Sequence, residues 1–287
     1  MMTQEGTAQR KGHKAGFVNI VGNPNVGKST LMNLLVGERI SIATFKAQTT
    51  RHRIMGILNT PEMQICFSDT PGVLKPNYKL QEQMLQFSVS ALQDADVLLY
   101  VTDMVETPDK NSDFIEKVQH MKVPIIVVIN KIDRPHADPM KVHDQVLELL
   151  LDLNATEEQF EAPFVYGSAR DGYFMNSPEG EAPVDCTPLL HQIVKHIPAP
   201  QDADPDKPFK MLISNIDWDD YVGRVAVGRI TSGRVQKGDT LHLIRQDGSR
   251  QQAKVTKLFE YSGLQTTDST VGEAGNIIGL SGFEDVD

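Results

Sequence analysis

The stretch Gly22-Asn23-Pro24-Asn25-Val26-Gly27-Lys28-Ser29 stands between the apolar run 17–21 and a helix-like segment, 29–35. Its G-x-x-x-x-G-K-S spacing is that of a phosphate-binding loop joining a strand to a helix. The residue types explain the spacing. Glycines let successive backbone N–H groups curl around phosphate oxygens, and the helix N-terminus adds the positive end of its dipole. The Lys28 ammonium is expected at the β- and γ-phosphates and the Ser29 hydroxyl on Mg²⁺, with Asn23, Asn25, Val26, Gly27 and Thr30 around them. A strand that feeds a helix in this way belongs to an α/β sheet.

The rest of the first two thirds supports that class. Segments 53–58 and 63–67 read as adjacent strands, followed by a helix at 80–92, a strand at 97–101 and a helix at 109–121. The unbroken apolar run 125–129, a helix at 140–151, a strand at 164–165 and a helix at 188–196 complete the alternation. Strands that alternate with helices imply a mostly parallel sheet covered on both faces, whose strands read as continuous apolar runs. After the Pro- and Asp-rich stretch from Pro198 to Asp206, the pattern changes to short strand candidates at 211–213, 225–230, 241–244, 255–259 and 277–280. Turn signals such as Lys237-Gly238-Asp239 separate them, which indicates a small β-barrel. The expected organisation is a disordered tail at 1–15, a nucleotide-binding α/β domain at 16–198, a linker at 199–207 and a barrel at 208–287.

With 40% apolar and 23% charged residues the chain has the composition of a globular protein. Its apolar runs are far shorter than the roughly 18 residues of a membrane span. Cys66 and Cys186 lie in no metal or redox spacing, so reduced thiols and a cytoplasmic location are expected. A net charge of −10 argues against nonspecific wrapping of nucleic acid, and no DNA partner is expected. The charge is uneven: residues 1–135 carry 15 Lys+Arg and 13 Asp+Glu of the chain's 28 and 38, leaving 13 and 25 to residues 136–287.

Asn130-Lys131-Ile132-Asp133 directly after the run 125–129 selects the base. A carboxylate at Asp133 accepts from guanine N1–H and its 2-amino group, whereas adenine offers no such pair, and a buried acceptor left unpaired rejects the wrong base. Asn130 is expected to bridge the ring edge and the phosphate loop, beside Lys131. Asp69-Thr70-Pro71-Gly72 supplies Asp69 to hold Mg²⁺ through water and the Gly72 amide for the γ-phosphate, so that losing this phosphate releases the loop. In Gln48-Thr49-Thr50-Arg51, Thr50 is the preferred metal ligand and Thr49 its competitor. Lys28, Thr50 and Gly72 form the expected catalytic set. Ser168-Ala169-Arg170 follows the last strand, where the backbone of Ser168 and Ala169 is positioned for guanine O6.

These motifs resemble two GTPase families. Over about residues 16–128, G-N-P-N-V-G-K-S-T-L-M-N, K-A-Q-T-T-R-H-R and D-T-P-G resemble the G domain of the Era family. From about residue 129, N-K-I-D-R-P, V-Y-G-S-A-R and D-W-D-D-Y-V-G-R-V-A-V-G-R-I resemble the TypA/BipA family of ribosome-associated translational GTPases, whose barrel is similar to domain two of elongation factor Tu. The charge step falls at the same changeover. The resemblance implies GTP and GDP as ligands with Mg²⁺, slow hydrolysis of GTP to GDP and phosphate, a monomer, and the ribosome or a ribosomal subunit with its rRNA as partner. It also implies further domains in relatives: an RNA-binding module after the Era G domain, and later domains after the barrel. Val73 stands where translational GTPases carry a histidine after D-T-P-G, so water activation by that ring is absent. Asn25 resembles the asparagine that helps to hold K⁺ in some such enzymes; a loop residue bonding its own backbone is the competing reading. The alternative to a working switch is a passive nucleotide- and ribosome- or RNA-binding fragment.

Of the remaining residues, Lys46, Arg51, His52 and Arg53 read as solvated charges beside the first switch, with contact to rRNA phosphate as the alternative. Trp218 and Tyr221 are expected to pack, with a surface role as the alternative, and Glu157, Glu158 and Glu161 to form a solvated face.

Overall fold

The structure, a computed structural model, describes residues 14–41, 54–60, 62–71, 94–104, 123–152, 154–180, 182–198, 204, 206–245, 247–262 and 265–283. Contacts divide the chain into two compact units, one of Phe17–Gly56 and Cys66–Ile197, the other including Ile57–Ile65 and Pro198–Asp287. The helices expected at 80–92 and 109–121 lie outside the described residues.

The α/β sheet has seven strands: β1 (Lys14–Gly22), β2 (Ile54–Asn59), β3 (Met63–Asp69), β4 (Val97–Asp103), β5 (Ile125–Asn130), β6 (Phe164–Ser168) and β7 (Tyr173–Met175). Their order is β2-β3-β1-β4-β5-β6-β7. The pairs β1 with β4, β4 with β5 and β5 with β6 are parallel. All seven residues of β4 are buried, as an unbroken apolar run in a parallel sheet requires. β7 pairs antiparallel to β6 and had no signal in the sequence, because three residues are too short to show a period.

Four helices are described in this unit: α1 (Lys28–Val36), α2 (Pro139–Asp152), α3 (Glu157–Phe160) and α4 (Thr187–His196). In α2 the buried residues Val142, Val146, Leu149 and Leu150 recur at helical spacing and pack on Val21, Leu98, Tyr100, Val127 and Ile129 of the sheet. Burying a side chain of this size contributes about 1.5–3 kcal/mol, so this face alone holds α2 against β5 and its neighbours. The short α3 is nucleated locally: Thr156 and Gln159 cap each other's backbone N–H groups in a capping box. Glu157, Glu158 and Glu161 are exposed there.

Register puts the chemistry at one edge. Gly22 faces Val101, Asp103 faces Asn130 and Asn130 faces Gly167, so the carboxyl ends of β1, β4, β5 and β6 open onto the same rim. That rim is where open α/β sheets hold their ligands.

The second unit contains β8 (Lys210–Asp219), β9 (Gly223–Ser232), β10 (Arg234–Gln236), β11 (Thr240–Ile244), β12 (Arg250–Lys254), β13 (Lys257–Ser262), β14 (Gln265–Ser269), β15 (Val271–Glu273) and β16 (Ile277–Ser281). A five-stranded sheet of order β14-β13-β16-β9-β8 is accompanied by the ribbons β10-β15 and β11-β12. Their common core contains Ala226, Ile230, Val235, Val255, Leu258, Ile278 and Leu280. β8 runs well past the expected 211–213 because register shifts at Lys210/Met211 and Ile213/Asn215 break the alternation that would have revealed it. β12 is polar and mostly exposed, so it too was invisible as an apolar run. Trp218 and Tyr221 correct the expectation that they pack: they are 68% and 95% exposed at the β8–β9 turn. The turn is stiffened from beneath, with Asp219 Oδ1 accepting from the N–H groups of Tyr221 (2.9 Å) and Val222 (3.0 Å).

Candidate functional site

The loop between β1 and α1 is shaped by three left-handed residues, Gly22 (φ 142°), Asn25 (φ 68°) and Gly27 (φ 105°). Alternating backbone hands turn neighbouring N–H groups toward one point, which makes a concavity suited to an anion. At Gly27 the need for glycine is also steric. A Cβ there would lie 2.3 Å from Asn130 Nδ2. Lys28 is buried, and its ammonium donates to Gly22 O (3.1 Å) and Asn23 O (2.7 Å), spanning the loop that it would leave to meet a phosphate. The Asn23 side chain is 5% exposed, and both its amide atoms are without hydrogen-bond partners, which marks an inward-facing polar group in the cradle.

Ser29, at the start of α1, donates to Asp69 Oδ2 at 2.6 Å. A second hydroxyl converges on the same oxygen, that of Ser41 at 2.7 Å. Ser41 is in turn pinned by Asn33, whose Oδ1 accepts from the N–H groups of Ile40 (3.0 Å) and Ser41 (2.8 Å). Asp69 at the end of β3 is fully buried, and the next residue is fixed by a bond from Thr70 Oγ1 to Ile20 O (2.8 Å). One hydroxyl and one carboxylate, both hard oxygen donors, suit Mg²⁺ that completes its shell with phosphate and water. Among the described residues no group of three His, Cys, Asp or Glu side chains offers a metal site of another kind.

The third cluster joins β5, β6 and the phosphate loop. Asn130 donates from Nδ2 to Val26 O (2.8 Å) and accepts at Oδ1 from Ala169 N–H (2.9 Å), with 2% of its surface exposed. That amide of Ala169 is therefore engaged by Asn130 in this structure. Lys131, in a left-handed conformation (φ 65°), donates to Asn25 O and to Asp103 Oδ2, the latter at 2.6 Å. Asp133 pairs with Arg170 at 2.9 Å through Oδ2, while its Oδ1 is buried without a partner. The Ser168 hydroxyl donates to Asp171 Oδ2 at 3.0 Å. Hydrogen bonds from Arg170 and Ser168 hold the Asp171 carboxyl below the usual carboxylate range. Burial, then the Asp133 charge, raises Tyr173.

Thus Asn23, Asn25, Val26, Gly27, Lys28, Ser29, Thr30, Asp69, Asn130, Lys131, Asp133, Ser168 and Ala169 are described and gather around one rim. Thr50, its competitor Thr49, Gly72, Val73 and the basic residues 46 and 51–53 lie outside the described residues. Sequence reasoning missed Ser41, Asn33, Asp103 and Arg170 as members of these clusters. Asp103 had a signal, as a carboxylate ending a buried strand; the lone Ser41 had none.

Residues 17–131 match the family of 50S ribosome-binding GTPases, and residues 223–287 match elongation factor Tu domain 2. The chain thus pairs a region similar to the ribosome-binding GTPases with one similar to elongation factor Tu domain 2. It is 35% identical over 286 residues to the large ribosomal subunit assembly factor BipA of Salmonella typhimurium, covering 93% of this chain and 45% of that protein. The chain thus spans about half the length of the curated relatives it matches. The structure of Era in complex with MgGDPNP and nucleotides 1506–1542 of 16S ribosomal RNA is 34% identical, with a TM-score of 0.54 over 65% of this chain and 58% of that one. The elongation factor SelB of Methanococcus maripaludis, with a GTP analogue, shares the fold at 20% identity and a TM-score of 0.65, over 93% of this chain and 51% of that one. The two resemblances in the sequence, Era-like and BipA-like, both recur in these matches. Among the described residues no helix is long and apolar enough to cross a membrane.

Proposed function

We propose that the chain binds GTP and GDP with Mg²⁺ and hydrolyses GTP to GDP and phosphate, serving as a switch in ribosome assembly or translation. The observation that carries this is the convergence on one rim of a left-handed phosphate loop, a part-buried hydroxyl–carboxylate pair and an asparagine-braced carboxylate. The phosphates belong at the loop, where Lys28 exchanges its two carbonyl partners for phosphate oxygens. Ser29 and Asp69 would hold Mg²⁺, which supplies charge neutralisation at the β- and γ-phosphates. Ser41 keeps Asp69 Oδ2 oriented toward Ser29. Asp133 Oδ1 takes a base donor, and Asn130 keeps the base site attached to the phosphate loop. Thr50 and Gly72 are assigned to the metal and the γ-phosphate from the sequence. The domain boundaries at 16–198 and 208–287 remain part of the same proposal.

K⁺ is the proposed activator. The side chain of Asn25 is exposed at the lip of the loop, and its backbone is held by Lys131, so the amide is available to a cation near the β- and γ-phosphates. A ribosomal subunit, met through rRNA, is the proposed partner, on the strength of the likeness to the BipA assembly factor and to the RNA-bound Era. The chain is proposed to act as a monomer in the cytoplasm. Multiple-turnover GTP hydrolysis measured alone and with purified 30S and 50S subunits tests the reading. A slow basal rate that one subunit stimulates is the expected result, and nucleotide binding with no turnover under any condition would replace the switch with a passive binder.

A further inference from the structure

The two oxygens of Asp133 are in different situations. Oδ1 is buried and has no partner, whereas Oδ2 receives Arg170 Nη2 at 2.9 Å. Arg170 is held in that place from behind. Its Nε donates to Asp171 Oδ1 at 3.0 Å and its Nη2 to Asp171 Oδ2 at 3.3 Å. Asp171 is braced in turn by Ser168, giving and taking bonds of 3.0 and 3.2 Å. The chain Ser168–Asp171–Arg170–Asp133 therefore presents a planar guanidinium to the carboxylate that the sequence assigns to the base. A guanidinium and the edge of guanine offer an acceptor the same chemistry, coplanar N–H donors pointing one way.

We infer that Arg170 is an internal competitor for the guanine site, a side-chain guanidinium that occupies the Asp133 carboxylate until a guanine base displaces it. The inference rests on the assignment of Asp133 to the base. Displacement needs no repacking, because the Arg170 side chain is 75% exposed and Asp171 remains to receive it. Only the fraction of molecules with Asp133 open is competent to bind, and the apparent Kd rises by the reciprocal of that fraction. A pair with one exposed partner shifts such an equilibrium by about two- to fivefold. The effect is the same for GDP and GTP, since the base is common to both, and it falls with salt because the pair is screened. Arg170 thereby tunes guanine-nucleotide affinity downward without touching phosphate or metal.

The test uses the full chain and its R170Q variant, with stopped-flow association and equilibrium titration of a fluorescent ribose-labelled GDP. The expected result is that R170Q binds about two- to fivefold more tightly, mainly through faster association, and that the difference shrinks as KCl rises from 50 to 500 mM. In a D133N background, titrated with xanthosine diphosphate, R170Q should change nothing, because the competitor has lost its charge partner. Equal or weaker GDP binding by R170Q overturns the inference; weaker binding would mean that the arginine holds the base. Failure of the underlying reading looks different: wild-type protein that binds ADP as tightly as GDP removes Asp133 from the base site altogether. Circular dichroism confirms that each variant is folded.

Discussion

Replacing Asn130 with alanine separates bracing of the site from reading of the base. Asn130 is 2% exposed and makes two bonds across the sheet edge, to Val26 O at 2.8 Å and from Ala169 N–H at 2.9 Å. Truncation leaves a carbonyl and an amide without partners in a dry place. Each stranded group costs about 1–3 kcal/mol, so the pair costs about 2–6 kcal/mol, toward the low end if water enters the space. For a domain of this size one kcal/mol moves Tm by about 2–4 °C, and Asn130→Ala is expected to melt about 4–24 °C lower. Asp133→Ala is the control. It removes a carboxylate whose Oδ1 had no partner and whose Oδ2 met an exposed arginine, so its melting point should stay within about 3 °C of wild type. Both variants should lose guanine-nucleotide affinity. The assay is thermal denaturation by circular dichroism on nucleotide-free protein, because bound ligand would stabilise wild type selectively and inflate the difference. An Asn130→Ala melting point within 2 °C of wild type would refute the bracing argument, as would an equal loss in Asp133→Ala.

Asp133→Asn should move preference from GTP toward xanthosine triphosphate, since an amide donates to the extra carbonyl; competition titration checks it, and unchanged GTP preference excludes Asp133 from the base site. Lys28→Ala or Ser29→Ala should abolish Mg²⁺-dependent hydrolysis with little change in far-UV circular dichroism, and an unchanged single-turnover rate in either would sink the phosphate-site assignment. Basal turnover should be about 10⁻⁴–10⁻² s⁻¹ and faster in K⁺ than in Na⁺ at equal ionic strength, with Asn25→Ala removing the difference; equal rates in the two salts would leave activation to a partner. Trp218→Ala with Tyr221→Ala should leave Tm within about 2 °C, because both rings are exposed, yet weaken co-sedimentation with ribosomal subunits if this turn meets the partner.

The residues proposed for phosphate, metal and base recognition stand out in the chain because such chemistry demands short, contiguous patterns. A phosphate needs several consecutive amides, so Gly22 to Ser29 must be neighbours in sequence. Likewise, the apolar runs of β4 and β5 and the helical spacing of α2 are local periodicities that burial imposes on adjacent residues. What tertiary packing added lies between segments far apart in sequence. No pattern joins Ser41 to Asp69, 28 residues away, or Asn130 to Val26, 104 away; the strand register brings them within hydrogen-bond reach. Trp218 and Tyr221 were misread for a similar reason. An aromatic residue looks the same in sequence whether it faces a core or solvent, and the register shifts in β8 break the alternation that would have told the two faces of that strand apart. The Arg170–Asp133 pair joins two loops that follow different strands, β5 and β6. Its existence depends on those strands lying parallel and adjacent, with Asn130 opposite Gly167, a pairing that long-range folding alone establishes.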